Sequence, residues 1–143
     1  MPTRGRSTGV CLLDTSAAVT FVRPDQDGHA ETYSTLVHRR KGLAGHAVFE
    51  TYSVLTRLPP PQRVAPRDAR RLIEQNFPDS CHLDLRRSME LLTELAYAGI
   101  AGGAVYDALV AACAREHGLP LVTRDRRAVD TYRTMGAEIE LLE

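Results

Sequence analysis

The sequence contains no tryptophan, only 6% aromatic residues, a single lysine (Lys41), three cysteines and no net charge at neutral pH. Neutrality excludes a whole-protein field that would attract nucleic acid at large. The apolar runs are far too short to cross a bilayer and are interrupted by Asp14, Glu50 and Asp107, so no membrane span is expected. Three cysteines are an odd number, without C-x-x-C spacing, which argues against a disulfide framework or a zinc site. Cys11, Cys81 and Cys113 sit in apolar contexts and read as buried reduced thiols. The five histidines form no H-x-H or H-E-x-x-H pattern, and the absence of G-x-G-x-x-G excludes a dinucleotide fold. Residues 1–9 carry Arg4 and Arg6 without a signal-length apolar core and read as a flexible tail before one domain over 10–143. A soluble, cytoplasmic protein is expected.

What is present begins at Val10-Cys11-Leu12-Leu13-Asp14-Thr15-Ser16. The apolar run reads as a buried strand that ends in a carboxylate, with Thr15 or Ser16 available to start a helix. Asp14 there is either a helix cap or a group displayed at the carboxyl end of a strand, where open α/β sheets bind ligands. Of the 18 basic residues all but Lys41 are arginine, the type suited to phosphate contact. They cluster at 39–41, 67–71, 86–87 and 124–127; each cluster reads first as a solvated face, and only Arg124, Arg126 and Arg127 gain weight from their neighbours.

Along the chain, a helix after Asp14 breaks at Pro24, and a second over 29–41 is expected to end at Gly42. Residues 43–44 read as a short strand. A helix over 47–58 follows, with Val48, Phe49, Tyr52 and Leu55 on its expected core face. Glu50 falls off that face with Ser53, Val54 and Arg57, as an ordinary solvent-side glutamate would. Pro66 opens a helix with the stripe Ala69, Leu72, Ile73 and Phe77. Residues 81–85 read as a third strand, with Asp84 as a turn or cap. The next helix presents Met89, Leu92, Leu95 and Ala96 on one face.

Residues 104–117 predict a helix that is apolar nearly all round and hence buried. Asp107 shares a face there with Ala104, Val110, Ala111 and Ala114. An ionised carboxylate in such a place costs several kcal/mol unless it is paired, hydrogen-bonded or bound to a cation. A strand at 119–122 then repeats the first arrangement, ending in Thr123-Arg124-Asp125. A last helix over 126–134, with Asp130 on its exposed face, leads to an edge strand at 138–142. Strands alternating with helices imply an α/β, three-layer α/β/α sandwich around a mainly parallel sheet. If the first and fourth of these strands are neighbours, Asp14 and Asp125 meet at one sheet edge beside Asp107.

Gathered carboxylates repel one another, so a cation normally accompanies them. Oxygen-only ligation suits Mg²⁺ or Mn²⁺, which supports phosphodiester hydrolysis. The stretches LLDTSA at 12–17, HAVFETYSVLTRLP at 46–59, YDALVAACAREHGLPLVTRD at 106–125 and the closing RRAVDTYRTMGAEIELL together resemble PIN-domain ribonucleases, and within them the VapC toxins of type II toxin–antitoxin (VapBC) systems. The resemblance spans Val10 to Leu142. It implies that Asp14, Glu50, Asp107 and Asp125 bind one or two Mg²⁺ or Mn²⁺ ions, supported by Thr15, Ser16 and Thr123. It thereby overrides the periodicity reading of Glu50. It further implies cleavage of single-stranded or loop RNA, such as tRNA or rRNA, by a metal-activated water that leaves a 5′-phosphate and a 3′-hydroxyl. A cognate VapB-type antitoxin and a homodimer are implied partners, and Arg residues rimming the acidic pocket would hold RNA. Two rivals remain: a non-catalytic RNA- or protein-binding PIN module, and a Mg-dependent phosphatase, although Ser16 stands where the dehalogenase-like phosphatases place a second acid.

Overall fold

Four short parallel strands form one sheet, and helices connect them in the computed structural model, which describes residues 9–143; the tail expected over 1–9 lies, but for Gly9, outside them. The elements are β1 (Val10–Leu13), α1 (Thr15–Val22), α2 (His29–Leu36), β2 (Arg40–Leu43), α3 (Ala47–Thr56), α4 (Pro66–Asn76), α5 (Leu85–Ala98), α6 (Ala104–His117), β3 (Leu121–Thr123), a 3-10 turn (Arg126–Ala128), α7 (Val129–Thr134) and β4 (Ile139–Leu141). Strand order is β2-β1-β3-β4, and every pairing is parallel. Helix α1 packs with α2 and α3, and α3 with α4, while α6 packs with α5 and α7, giving the three-layer α/β/α arrangement. Parallel strands must be covered on both faces, which explains why Cys11, Leu12, Leu13, Leu121 and Val122 are all fully buried.

The chain leaves β1 toward β2 on one side and reaches β3 on the other. Strand order therefore reverses between β1 and β3, the place where such sheets open a crevice at their carboxyl ends. Asp14 follows β1 directly, and Asp125 lies two residues beyond β3. The Asp14 N–H donates to the Val122 carbonyl at 3.1 Å, so the two strand ends are stitched together at the crevice.

Several local expectations are corrected. Helix α2 stops at Leu36, and Gly42 lies inside β2 rather than ending a helix. A Cβ at Gly42 would meet the Asp79 carbonyl at 2.1–2.2 Å, so a close backbone crossing explains this glycine. No strand forms over 81–85: Cys81 makes one isolated parallel bridge to Ala44, and Asp84 ends the extension by capping α5 through the Arg87 N–H at 2.8 Å. In α3 the buried residues are Ala47, Thr51 and Leu55, whereas Phe49 and Tyr52 are exposed. The large side chains of that helix line a groove against Pro66, Arg67, Arg70 and Ile73 of α4. In α5, Leu91 and Leu95 are buried, while Met89 and Leu92 face outward. The final helix starts as the 3-10 turn, because the Asp125 side chain caps it by accepting from the Arg127 N–H at 3.0 Å. Among the described residues no helix is long and apolar enough to cross a membrane.

Candidate active site: an acidic pocket at the sheet switch point

Asp14 is 3% exposed, and burial pushes its carboxyl group above the usual carboxylate range. Four donors oppose that push. The Ser16 hydroxyl at 2.6 Å and the Ala17 N–H at 3.0 Å donate to Oδ1, while the Thr123 hydroxyl and the Tyr132 phenol, the latter at 2.7 Å, donate to Oδ2. Asp14 thus caps α1, as its place before a helix suggested, and is also held rigidly at the crevice. Each supporting hydroxyl does a second task. Ser16 Oγ accepts from the Arg124 N–H at 2.9 Å, and Thr123 Oγ1 accepts from the Asp125 N–H at 3.0 Å. The backbone after β3 is thereby fixed relative to the start of α1.

Glu50 reaches the same place from α3. Its Oε1 accepts from the Thr15 hydroxyl at 2.8 Å, although the side chain is exposed as its periodicity indicated. Asp107 enters from the first turn of α6. It is half-buried, not deeply buried, because the apolar surround of α6 closes only from Ala108 onward. Desolvation raises its carboxyl group first, and the charges of Asp125, Asp14 and Glu50 raise it further; only Arg127 works the other way. Among the described residues Asp107 has no hydrogen bond or ion pair, so the arginine partner that would make it merely structural is not in place. Asp14, Thr15, Ser16, Glu50, Asp107 and Asp125 line a single pocket of about 220 Å³, with Val110 and Tyr132 completing its wall.

Tyr132 escaped the sequence reading. Its signal was a tyrosine inside a helix that had to be buried at the end of the chain, where a phenol needs a partner. Burial and the Asp14 charge push its ionisation far upward, so it stays a donor.

The three arginines differ. Arg127 is exposed and pairs with Asp125 at 3.2 Å on the rim. Arg126 is exposed and pairs with Glu143. Arg124 turns away from the acids, donating to the Thr20 hydroxyl and the Asp27 carbonyl, each at 3.2 Å, and lying against Gly28.

Comparison with known proteins identifies the family of the fold that carries this pocket. The PIN domain family matches residues 11–133. The chain belongs to the PIN-domain family. Ribonuclease VapC27 of Mycobacterium tuberculosis (strain H37Rv) is 46% identical over 127 residues, covering 89% of this chain and 93% of the relative. Ribonuclease VapC40 of the same species (strain CDC 1551) is 42% identical over 130 residues, covering 90% and 96%. Within this PIN domain, the donor set at the pocket is all oxygen, which suits a hard divalent cation. The carboxylates are spread more widely than a closed ligand cage: among the described residues, the group of three potential ligands whose atoms lie within 4.8 Å of one another is found elsewhere.

Proposed function

We propose that this PIN domain is a VapC-type endoribonuclease toxin that hydrolyses phosphodiester bonds in single-stranded or loop RNA, of the tRNA or rRNA class, with Mg²⁺ or Mn²⁺. The observation that carries the reading is the convergence of Asp14, Glu50, Asp107 and Asp125 on one pocket where, among the described residues, Asp107 makes no ion pair. The names of the relatives, both ribonucleases, support it. Asp14, Asp107 and Asp125 would hold the cation, with Glu50 completing the set from α3. When bound, the cation supplies an acidic water as nucleophile and neutralises charge developing on the phosphate oxygens.

The chain's own groups set the geometry. Four donors fix the orientation of the Asp14 carboxylate, so it cannot swing away from the pocket. Thr15 aims Glu50 inward. Arg126 and Arg127, exposed beside Asp125, are placed to hold an RNA backbone, and their local charge makes overall neutrality no obstacle. Arg124 acts at one remove, by anchoring the 23–28 loop. The products of this reading are a 5′-phosphate and a 3′-hydroxyl.

The same reading gives the chain a cognate VapB-type antitoxin, a second copy as dimer partner and a cytoplasmic location. Both partners need apolar surface, and Phe49, Tyr52, Leu85, Met89, Leu92 and Tyr97 offer it. The test is incubation of purified tRNA and rRNA with the isolated protein in Mg²⁺, Mn²⁺ or EDTA, with Asp14→Asn as control. Discrete metal-dependent fragments absent from the variant are expected. A folded, antitoxin-free protein that cuts neither RNA with any metal would return the reading to a binding module.

A further inference from the structure

Away from the acidic pocket, the structure brings together two cysteines and a histidine that nothing in the nuclease chemistry uses. Cys81 sits at the isolated bridge beyond β2, and Cys113 and His117 lie one turn apart on α6. Cys81 Sγ is 3.8 Å from Cys113 Sγ, and Cys113 Sγ is 3.8 Å from His117 Nδ1. All three potential ligand atoms lie within 4.8 Å of one another, although Cys81 is 32 residues from Cys113 in sequence. Sequence spacing concealed this group, because only one of its two links is local. All three cysteines are reduced, as their apolar contexts suggested, but Cys81 is only half-buried and lies beside Cys113.

The geometry points to a site for a thiophilic divalent cation, Zn²⁺ foremost, held by Cys81, Cys113 and His117. Tetrahedral coordination with Zn–S bonds of about 2.3 Å places two sulfur ligands about 3.8 Å apart. The observed sulfur separation is the same. The ligand set, two sulfurs and an imidazole nitrogen, is soft, the opposite of the all-oxygen pocket, so the two sites select different metals. The surroundings hold the ligands in place. The Cys81 carbonyl accepts from the Gly45 N–H at 2.8 Å, and His117 Nδ1 lies 2.8 Å from the Cys113 carbonyl, a contact that a cation bound at Nδ1 would replace.

Access favours a metal over a disulfide. Cys113 is buried and Cys81 half-buried, but His117 is exposed and lines an open polar groove with His82, Asp84, Glu116 and the ion-paired arginines Arg86 and Arg87. A cation can enter there and take water or an added ligand as fourth donor. A disulfide would leave His117 without a role and would require the sulfurs to close to about 2.05 Å. A cation here would tie the connection after α4 to the end of α6, without touching any residue of the acidic pocket.

The test uses the full chain, reduced and stripped of metal, with Zn²⁺ or Co²⁺ alone as probe. One retained Zn²⁺ per chain, a raised melting temperature and a thiolate-to-Co²⁺ charge-transfer band are expected. Cys81→Ser and His117→Ala should lose the retained Zn²⁺ and the band, whereas Asp14→Asn should keep both. Because His117 is exposed, His117→Ala tests the site without disturbing the core. The proposal is overturned if no Zn²⁺ is retained, if His117→Ala and Cys81→Ser bind it as the parent does, or if Asp14→Asn loses it. It is equally overturned if Zn²⁺ fails to prevent a Cys81–Cys113 disulfide forming in air.

Discussion

The phenol of Tyr132 donates to Asp14 Oδ2 at 2.7 Å, joining the helix before the last strand to the end of the first strand across 118 residues. A hydrogen bond to a buried charged group contributes about 1.5–3 kcal/mol, so Tyr132→Phe should lower stability by that amount in urea melts. It also removes one of the donors that oppose the effect of burial on Asp14, so the carboxyl group should rise further. The acid limb of the RNA-cleavage pH profile should therefore move to higher pH. An unmoved limb would mean that Asp14 does not control it.

Asp107→Asn should abolish cleavage while raising the melting temperature of the metal-free protein at neutral pH. The folded Asp107 carboxyl is raised above its unfolded value by desolvation and by Asp125, Asp14 and Glu50. Between the unfolded and folded values the native state holds the extra proton, so stability falls as pH rises through that window. Asparagine cannot ionise and removes this slope. With partial exposure screening the charges, the gain is on the order of 1 kcal/mol or less. Calorimetry in EDTA across the carboxylate range checks both sign and slope, and a drop in melting temperature would instead assign Asp107 to a structural interaction.

The readability of these acids from sequence alone was uneven for physical reasons. Asp14 and Asp125 stood out because each ends an apolar strand, and Asp107 because it interrupts an apolar helix. Glu50 obeys its helical period and is solvent-exposed; it belongs to the pocket only because α3 packs on α1, where Thr15 meets it. Amphipathic period shows that α3 and α5 own apolar faces, but not whether the chain itself covers them. Phe49, Tyr52, Met89 and Leu92 remain outside the core for that reason. Gly42 was ambiguous because glycine ends helices and also permits close backbone approach, and only the distant 79–80 segment decides between them.

Gly42→Ala should be poorly tolerated. Its Cβ would stand 2.1–2.2 Å from backbone atoms of Asp79 and Ser80, which a rotamer change cannot relieve. A loss of at least about 3 kcal/mol is expected, read as a lower denaturant midpoint or as insoluble protein. A midpoint equal to the parent's would show that the 79–80 segment can move aside.

Replacing Arg126 and Arg127 together by alanine should reduce the slope of log binding constant against log salt by about 1.4, two single-strand phosphate contacts' worth. Arg124→Ala should behave differently, because its guanidinium is engaged with Thr20 and the Asp27 carbonyl. Its signature is a lower melting temperature with an unchanged salt slope. RNA-binding titrations over a range of salt, run on a catalytically inactive background such as Asp107→Asn, separate the two.

The distance in sequence between Asp14 and its donors carries a consequence for synthesis. Thr123 and Tyr132 lie 109 and 118 residues downstream, and β1 gains its β3 neighbour only when that part of the chain exists. A chain emerging from the ribosome therefore carries Asp14 and Glu50 long before it can hold them in working order. The proposed cutting activity then cannot arise until the segment carrying Thr123 and Tyr132 has emerged and its helix brings the phenol onto the end of the first strand.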